Sequence, residues 1–189
     1  MKISTIMSGS LSLILVLSVT ILTVQELKAM EQDRAKLNAE INAQIEADIA
    51  DMHYEEQLQC MALNIYHEAR SDSALGQEAV GMVTMNRVYS DKYPDTICDV
   101  VYQSHLNSRG NPIRNKCQFS WYCDGKSDVP RDKVKFEEAM TNAKWVMNNY
   151  GSERDITGGA VMYHASYVNP YWSKAYTKTS RIESHIFYK

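Results

Sequence analysis

Apolar side chains recur with the period of an α-helix along a polar stretch near the start of the chain. From residue 25 to residue 56 no Gly or Pro interrupts the pattern. The apolar positions are Leu27, Met30, Leu37, Ile41, Ile45, Ile49 and Met52. Their spacing of mostly three, four and seven residues predicts one long amphipathic helix. This helix is either a solvated stalk or a short coiled coil, and the second reading leaves a dimer through residues 25–56 open.

The segment before this helix is apolar on all sides. Residues 3–24 contain no charged side chain and are long enough to cross a bilayer as a helix. Residues 1–24 are therefore predicted to be an export signal or a transmembrane signal-anchor. The bulky Leu27 stands two places before Ala29, where a signal peptidase prefers a small residue, and this favours the uncleaved anchor.

Residues 57–189 read as one mainly α domain of the α+β class. Helices are predicted at 55–70, 74–89 and 97–103, and from Pro130 to Gly151. The polar stretch 104–116 is predicted to be a loop. The tail beyond Gly158 is dense in Tyr, Trp, Thr and Val, so we expect extended or irregular structure there.

Charge and cysteine content narrow the choice of partner and compartment. A formal net charge of −3 lacks the positive field that holds a phosphate backbone, so we expect no nucleic acid partner. The four cysteines are Cys60, Cys98, Cys117 and Cys123. After an export segment they favour two disulfides, for which three pairings are open. Zinc is the alternative, but the last three cysteines lack the paired short spacing of a zinc ribbon or finger.

Glu68, in the stretch IYHEAR, is the strongest candidate for chemistry. The apolar residues around it mark one face of the predicted helix: Leu58, Met61, Ala62, Ile65 and Ala69. Glu68 follows Ile65 by three positions and therefore projects from the edge of that face. Partial burial disfavours a charged carboxyl and raises its pKa, so that it holds a proton for a leaving group. The alternative is a surface-edge Glu paired with Arg70 or Arg87.

The polar neighbours of Glu68 do not suggest a metal centre. A zinc-protease helix needs a second His four residues after His67, and that position is Ser71. His67 is instead predicted to flank the site or face a substrate. Asp72 is either a second carboxylate beside Glu68 or the N-cap of the helix at Ala74, of which the N-cap is favoured. Neither a metal nor a cofactor is predicted.

Two aromatic clusters lie later in the chain, within residues 117–123 and 162–172. Their rings are those of Phe119, Trp121, Tyr122, Tyr163, His164, Tyr167, Tyr171 and Trp172. Such faces stack on sugar rings, while Gln118, Ser120 and Asn169 offer hydrogen bonds to hydroxyl or acetamido groups. Core packing is the alternative for both clusters.

Several motifs along the domain occur together in one known family. In order they are LQCMALNIYHEAR, GQEAVGMVTMNRV, YPDTICDVVYQ, CQFSWYCDG, GGAVMYHA and IESHIFYK. Over residues 57–189 the chain resembles the SleB-like cell wall hydrolases, the family of the spore cortex-lytic enzymes. The resemblance implies a lysozyme-like, lytic transglycosylase type of domain, preceded here by the predicted transmembrane helix and helical stalk.

The resemblance also assigns roles to positions of this sequence. It implies that Glu68 is the catalytic residue and matches further family positions to Asp72, Asn86, Arg87, Gln118, Phe119, Ser120, Tyr163, His164, His185, Phe187 and Tyr188. From the motifs and clusters together we expect substrate contacts from His67, Asp72, Gln118, Phe119, Ser120, Trp121, Tyr163, His164 and Trp172. One departure is Glu183, where the family pattern has glycine, and it bears on the backbone of the last segment.

The activity implied by the resemblance is cleavage of the MurNAc–GlcNAc β-1,4 bond of peptidoglycan. Glu68 would act first as acid and then as base, forming a 1,6-anhydro end, so that no second carboxylate is needed. The expected partners are glycan strands and, through the N-terminal helix, a membrane. We expect the protein at the inner membrane, facing the periplasm as a tethered lysin of phage or bacterial origin, or secreted to the periplasm or wall.

Two other functions remain as alternatives. A catalytically inactive module that binds peptidoglycan or assembles the envelope would keep the aromatic clusters and the anchor. An amidase or peptidase acting on the stem peptide would need a zinc ligand set or a Cys–His nucleophile, and disulfide formation would remove the cysteines.

Overall fold

The structure, a computed structural model, describes the backbone of residues 6–189 and the side chains of residues 18 and 20–189. The helices are α1 (Ile6–Ala69), α2 (Ala74–Val88), α3 (Ile97–Val101) and α4 (Lys133–Asn149). The strands are β1 (Ser104–Leu106), β2 (Pro112–Cys117), β3 (Met162–Ala165), β4 (Lys178–Ile182) and β5 (His185–Tyr188). Short 3₁₀ turns occur at Ser120–Cys123 and Tyr171–Ala175. The prediction of a mainly helical α+β chain is confirmed.

Helix α1 contains both the predicted stalk and the first predicted helix of the domain as one continuous helix. No Gly or Pro occurs between residues 25 and 70 to end a helix. The chain nevertheless divides into two compact units, one ending at Met52 and one from His53 to Lys189. The apolar stripe of the stalk is exposed, from 47% at Ile41 to 65% at Met52. A dimer through this stripe stays a prediction.

In the part of the chain that the structure describes, no helix combines the length and the apolar character that crossing a membrane requires. Of the predicted signal-anchor, residues 1–24, the first five residues lie outside the described part of the chain, and side chains are described only for residues 18 and 20–24. The anchor therefore stays a prediction.

The core of the second unit forms where the end of α1 packs with α2, α3 and α4. All five apolar residues predicted for the buried face of α1 are at most 3% exposed. Helices α1, α2 and α4 approach closely at Gly81. A Cβ there would lie 3.0 Å from Val146 Cγ2 and 3.3 Å from Ile65 Cδ1, so the missing side chain makes the close packing possible.

Two disulfides tie this core together. Cys60 on α1 is bonded to Cys98 on α3, and Cys117 is bonded to Cys123 across a short loop. This is one of the three pairings that the sequence left open. All four thiols are used, so the zinc alternative for the cysteines is wrong.

Residues 104–116 are not the simple polar loop that we predicted. Strands β1 and β2 pair in antiparallel register, Ser104 with Cys117 and Leu106 with Pro112. The Asn107 side chain stabilises the turn between the two strands, because its Oδ1 accepts hydrogen bonds from the backbone N–H groups of Arg109 and Asn111. The predicted loop is therefore largely a β-hairpin.

The C-terminal tail is extended, as predicted, and forms an antiparallel sheet in the order β3-β5-β4. Glu183, in the turn between β4 and β5, has a φ of 46°. This left-handed conformation is the one that favours glycine, which explains the glycine in the family pattern. The Glu183 carboxylate compensates by accepting hydrogen bonds from the Ser73 hydroxyl and, at 3.0 Å, the Ser73 N–H.

Candidate active site

Glu68 lies in the last turn of α1, half-buried at the edge of the apolar face, as its spacing predicted. It opens into a cleft with a volume of about 210 Å³. The cleft is lined by Glu68, Arg87, Cys117, Gln118, Phe119, Ser120, Met162, Tyr163 and Trp172. Helices α1 and α2, strand β3, the Tyr171–Ala175 turn and the segment after β2 therefore each contribute a wall.

The surroundings of Glu68 favour a carboxyl group that holds its proton. Burial raises the pKa of Glu68, and the hydrogen bond from Tyr163 and the charge of Arg87 offset this effect only in part. The Tyr163 hydroxyl donates to Glu68 Oε2 at 3.0 Å. Arg70 does not neutralise the carboxylate, since its guanidinium lies over the Tyr66 ring at 5.3 Å. Glu68 thus has the properties of a general acid.

Tyr163 is held in place from the side of the sheet that carries His185 and Phe187. The Tyr163 ring meets the edge of His185 at 5.2 Å and lies 5.7 Å from the Phe187 ring. Burial, followed by the charge of Glu68, raises the pKa of Tyr163 well above its usual value. The phenol is therefore protonated at neutral pH and acts as a fixed donor to Glu68.

Arg87 supports the opposite wall and is only 3% exposed. Its Nε donates to the Val161 carbonyl at 2.8 Å, and its guanidinium lies 4.9 Å from the centre of the Phe119 ring. With the Gln118 amide assigned so that its oxygen faces the guanidinium, which satisfies both groups, this oxygen accepts from Nη2 at 3.0 Å and from Nη1 at 3.3 Å. One buried cation thereby joins α2, the β3 segment and the loop after β2, and places positive charge near Glu68.

The family pattern matched Arg87, but we did not predict it as a site residue. The sequence signal that could have identified Arg87 is its spacing from buried valines on the same helix. Arg87 follows Val80 by seven positions and Val83 by four, and both valines are fully buried. A cation on such a face needs acceptors from elsewhere in the fold.

Six of the ten predicted site residues meet in the cleft: Glu68, Gln118, Phe119, Ser120, Tyr163 and Trp172. The other four predicted site residues are His67, Asp72, Trp121 and His164. These four lie outside the lining of this cleft, and their contact with a substrate stays a prediction.

His67 and Trp121 pack on each other, with ring centroids 4.5 Å apart. The Trp121 indole is 8% exposed and donates to Asn64 Oδ1 at 3.1 Å, so the ring fills the core, as the alternative interpretation held. His67 Nε2 lies 3.0 Å from the Asp128 carbonyl oxygen. The two side chains border a separate cavity of about 520 Å³.

Asp72 is neither a partner of Glu68 nor the N-cap of α2. The N-cap residue is Ser73, one position later. The Asp72 carboxylate accepts from the Ser184 hydroxyl at 2.9 Å and lies 3.1 Å from His185 Nδ1. Burial lowers the pKa of His185, which the carboxylate offsets in part. Asp72 therefore connects the start of α2 to β5 and, through His185, supports Tyr163.

His164 points away from the Glu68 side because successive side chains of a strand face opposite ways. Its Nε2 lies 2.9 Å from the Tyr188 hydroxyl, and its ring centre is 5.5 Å from that of Trp172. His164 thus supports the Trp172 ring from behind and does not line the cleft.

We expect Tyr163→Phe to raise the pKa of Glu68 further. The substitution removes a hydrogen bond that stabilises the charged carboxylate while leaving the ring packing in place. The carboxyl titration is measured by carbon-13 NMR in both proteins. Tyr89→Phe, at an exposed position, is the matched control. An unchanged or lower pKa in Tyr163→Phe would show that the phenol does not control this proton.

Comparison with known proteins places the domain in a family. Residues 71–188 match the sequence profile of the family described as Cell Wall Hydrolase, a range that begins just after Glu68. The spore cortex-lytic enzyme of Halalkalibacterium halodurans is 26% identical over 149 residues, which cover 78% of this chain and 39% of that protein. The spore cortex-lytic enzyme of Bacillus cereus is 28% identical over 134 residues, 70% of this chain and 44% of that protein. The chain thus spans less than half the length of these relatives.

A solved structure agrees with the sequence comparison. The catalytic domain of the germination-specific lytic transglycosylase SleB from Bacillus anthracis superposes with a TM-score of 0.54 at 27% identity. The superposition covers 70% of this chain and 93% of that domain. Since the family profile matches well over half of the residues and the fold is that of a SleB catalytic domain, the chain belongs to the Cell Wall Hydrolase family, as its motifs implied.

Proposed function

We propose that the chain cleaves the MurNAc–GlcNAc β-1,4 bond of peptidoglycan as a lytic transglycosylase, with Glu68 as the catalytic acid and base. The observation that carries the proposal is the Glu68 carboxyl group, whose pKa burial raises, at the wall of a cleft with aromatic and amide side chains. The similarity to spore cortex-lytic enzymes and to a lytic transglycosylase supports the same proposal.

In the first step Glu68 acts as an acid. Its proton passes to the glycosidic oxygen, the bond from that oxygen to C1 of MurNAc breaks, and positive charge develops at C1. The carboxylate left behind accepts the hydrogen bond from Tyr163 and lies in the field of Arg87. Both groups stabilise the charged form, so they assist the proton transfer as it occurs.

In the second step the Glu68 carboxylate acts as a base. It removes the proton of the C6 hydroxyl of the same MurNAc, whose oxygen bonds to C1 and closes a 1,6-anhydro ring. Glu68 is again protonated, and no water is consumed. Of the described residues that line the cleft, Glu68 alone carries a carboxyl group, which favours this route over one that needs a second carboxylate.

The remaining walls of the cleft fit a sugar. Trp172 offers an aromatic face whose orientation is fixed by the rings of His164 and Tyr188, each 5.5 Å away. The Gln118 and Ser120 side chains supply donors and acceptors for hydroxyl and acetamido groups. The Cys117–Cys123 disulfide closes the loop that carries both of them.

The product identifies the reaction. We expect mass spectrometry of purified peptidoglycan treated with the full chain to find soluble fragments with 1,6-anhydro ends, and none after treatment with Glu68→Gln. Reducing ends in place of anhydro ends would mean that water attacks C1 and would make the enzyme a muramidase. If neither protein releases fragments although both disulfides are formed, the result favours the alternative of a catalytically inactive peptidoglycan-binding module.

We also propose that residues 1–24 anchor or export this domain so that it reaches the wall. The two disulfides fit an oxidising compartment such as the periplasm. Cell fractionation with thiol labelling tests the proposal, and a cytoplasmic protein with reduced cysteines would contradict it.

A further inference from the structure

The β1–β2 hairpin carries a local excess of positive charge. Residues 103–118 contain His105, Arg109, Arg114 and Lys116 and neither Asp nor Glu, although the whole chain has a formal net charge of −3. In a chain with more acidic than basic residues, such a segment attracts anions locally. The hairpin is therefore a candidate for anion recognition.

The basic hairpin encloses a cavity that adjoins the Glu68 cleft. This hairpin cavity has a volume of about 620 Å³, and its lining includes Ser104, His105, Leu106 and Lys116. Cys117 and Gln118 line both the hairpin cavity and the Glu68 cleft. A ligand that occupies the cleft can therefore extend into the hairpin cavity without leaving the protein surface.

The basic side chains of the hairpin are not equally available to bind an anion. Arg114 is directed towards residues 124–125, where the Lys126 backbone N–H chiefly, and the Arg114 charge to a smaller extent, lower the pKa of Asp124. Lys116 is exposed, and among the side chains that the structure describes it has no ion-pair partner. The cavity thus offers one uncompensated lysine, with His105 beside it in the lining.

We propose that the hairpin cavity binds the stem peptide of the MurNAc residue whose bond is cleaved, with Lys116 paired to a peptide carboxylate. The proposal rests on the function proposed above. The stem peptide is attached through the lactyl group of MurNAc, on the same ring as the reacting C1, so it leaves the cleft at a short distance from Glu68. Its glutamate and its C-terminus carry carboxylates, which complement a basic cavity.

A peptide site in the hairpin cavity implies a preference for one class of glycan substrate. The chain acts on glycan whose muramic residues keep their peptides, in preference to glycan whose muramic residues carry no peptide. Leu106 and Ile113 give the same cavity an apolar side that suits the methyl groups of the peptide alanines. A bare glycan strand offers neither carboxylates nor methyl groups to this cavity.

The test compares two substrates and three proteins. Peptide-bearing glycan strands and the same strands stripped of peptides by an amidase are digested with the full chain, with Lys116→Gln and with Lys144→Gln. Lys144 is exposed on α4, so its variant makes the same change of charge away from the cavity. We expect the full chain to prefer peptide-bearing strands in kcat/KM by about 10-fold, and Lys116→Gln to reduce that preference by roughly 2- to 5-fold through the loss of one exposed charge pair. Lys144→Gln should keep the preference in full.

Ligand binding tests the peptide site independently of the catalytic role proposed for Glu68. Titration of Glu68→Gln with muramyl tripeptide and with MurNAc should give tighter binding of the tripeptide, and the added Lys116→Gln should weaken the tripeptide alone. If strands are not cleaved but this pattern holds, the catalytic proposal fails and the peptide site stands. Equal binding of the two ligands, equal cleavage of the two substrates, or binding only of poly(glycerol phosphate) would overturn the peptide site.

Discussion

Glu68→Gln is expected to lower the turnover of peptidoglycan by about 10²- to 10⁴-fold, the range typical of a lost general acid. The amide has the size of the carboxyl group and can accept the hydrogen bond from Tyr163, but it cannot release a proton to the glycosidic oxygen. Fragment release is followed at equal concentrations of folded protein. A variant that retains a tenth or more of the activity would exclude Glu68 as the acid.

The same variant should change stability in a pH-dependent way. Because burial raises the pKa of Glu68 in the folded protein, its contribution to stability is fully present below the pKa of the unfolded chain. That contribution is lost as the pH rises through the folded pKa, where the protein must bury a carboxylate. Glu68→Gln lacks this penalty, so we expect its unfolding temperature to exceed that of the unmodified chain at pH 8, with a difference that shrinks towards pH 4.

Thermal unfolding followed by circular dichroism at both pH values measures this difference. Glu137→Gln is the matched control, since Glu137 is exposed on α4. Loss of stability in Glu68→Gln at pH 8 would mean that favourable contacts to the carboxylate outweigh the cost of its burial, contrary to a raised pKa. The rate and the stability together separate a catalytic carboxyl group from a structural one.

The position of Glu68 could be predicted because it depends on helix geometry alone. Its relation to Met61 and Ile65 follows from 3.6 residues per turn, and no other part of the fold has to be known. The helices at Ala74–Val88 and Lys133–Asn149 were predicted for the same reason. Capping by Asp132, whose side chain accepts from the Lys135 N–H, fixes the start of the second of these helices.

Two of the three tryptophans show where a local sequence pattern no longer decides between core and cleft. Trp121 and Trp172 occur in equally aromatic segments, yet one fills the core and the other lines the cleft. The difference comes from Asn64, a fully buried amide on α1, which accepts the Trp121 indole N–H. A polar residue on a buried face needs such a partner, but sequence does not say which distant donor supplies it.

Asp72 and the hairpin were misjudged because their partners are distant along the chain. Asp72 is satisfied by Ser184 and His185, more than 100 residues away. Both roles predicted for Asp72, a carboxylate beside Glu68 and the N-cap of the helix at Ala74, involved only its neighbours in the sequence. Residues 104–116 were assigned to a loop because the run is polar, whereas the turn chemistry of Asn107 favours a hairpin.

Arg87→Met should destabilise the domain and weaken catalysis, because Arg87 joins three segments of the cleft. Methionine fills much of the space but leaves the Val161 carbonyl and the Gln118 amide oxygen without their donor. An unsatisfied acceptor costs roughly 1–3 kcal/mol when it is fully buried, and both of these residues are half-buried, so we expect a loss of about 1–3 kcal/mol in the free energy of unfolding. Urea unfolding measures the loss, and Arg154→Met, at an exposed position, is the matched control.

The effect on activity distinguishes a support for the fold from a support for the reaction. Arg87 helps to stabilise the charged form of Glu68, so its loss should raise the pKa of that carboxyl group further. Arg87→Lys keeps a positive charge but loses the planar fork that meets Gln118. We expect the pKa of Glu68 in Arg87→Lys to stay closer to that of the unmodified chain than the pKa in Arg87→Met does. Both variants should lose activity, because Gln118 is no longer fixed. If both variants match the unmodified chain in fragment release per folded molecule, Arg87 serves stability alone, and the loop after β2 is held for the substrate by the Cys117–Cys123 disulfide instead.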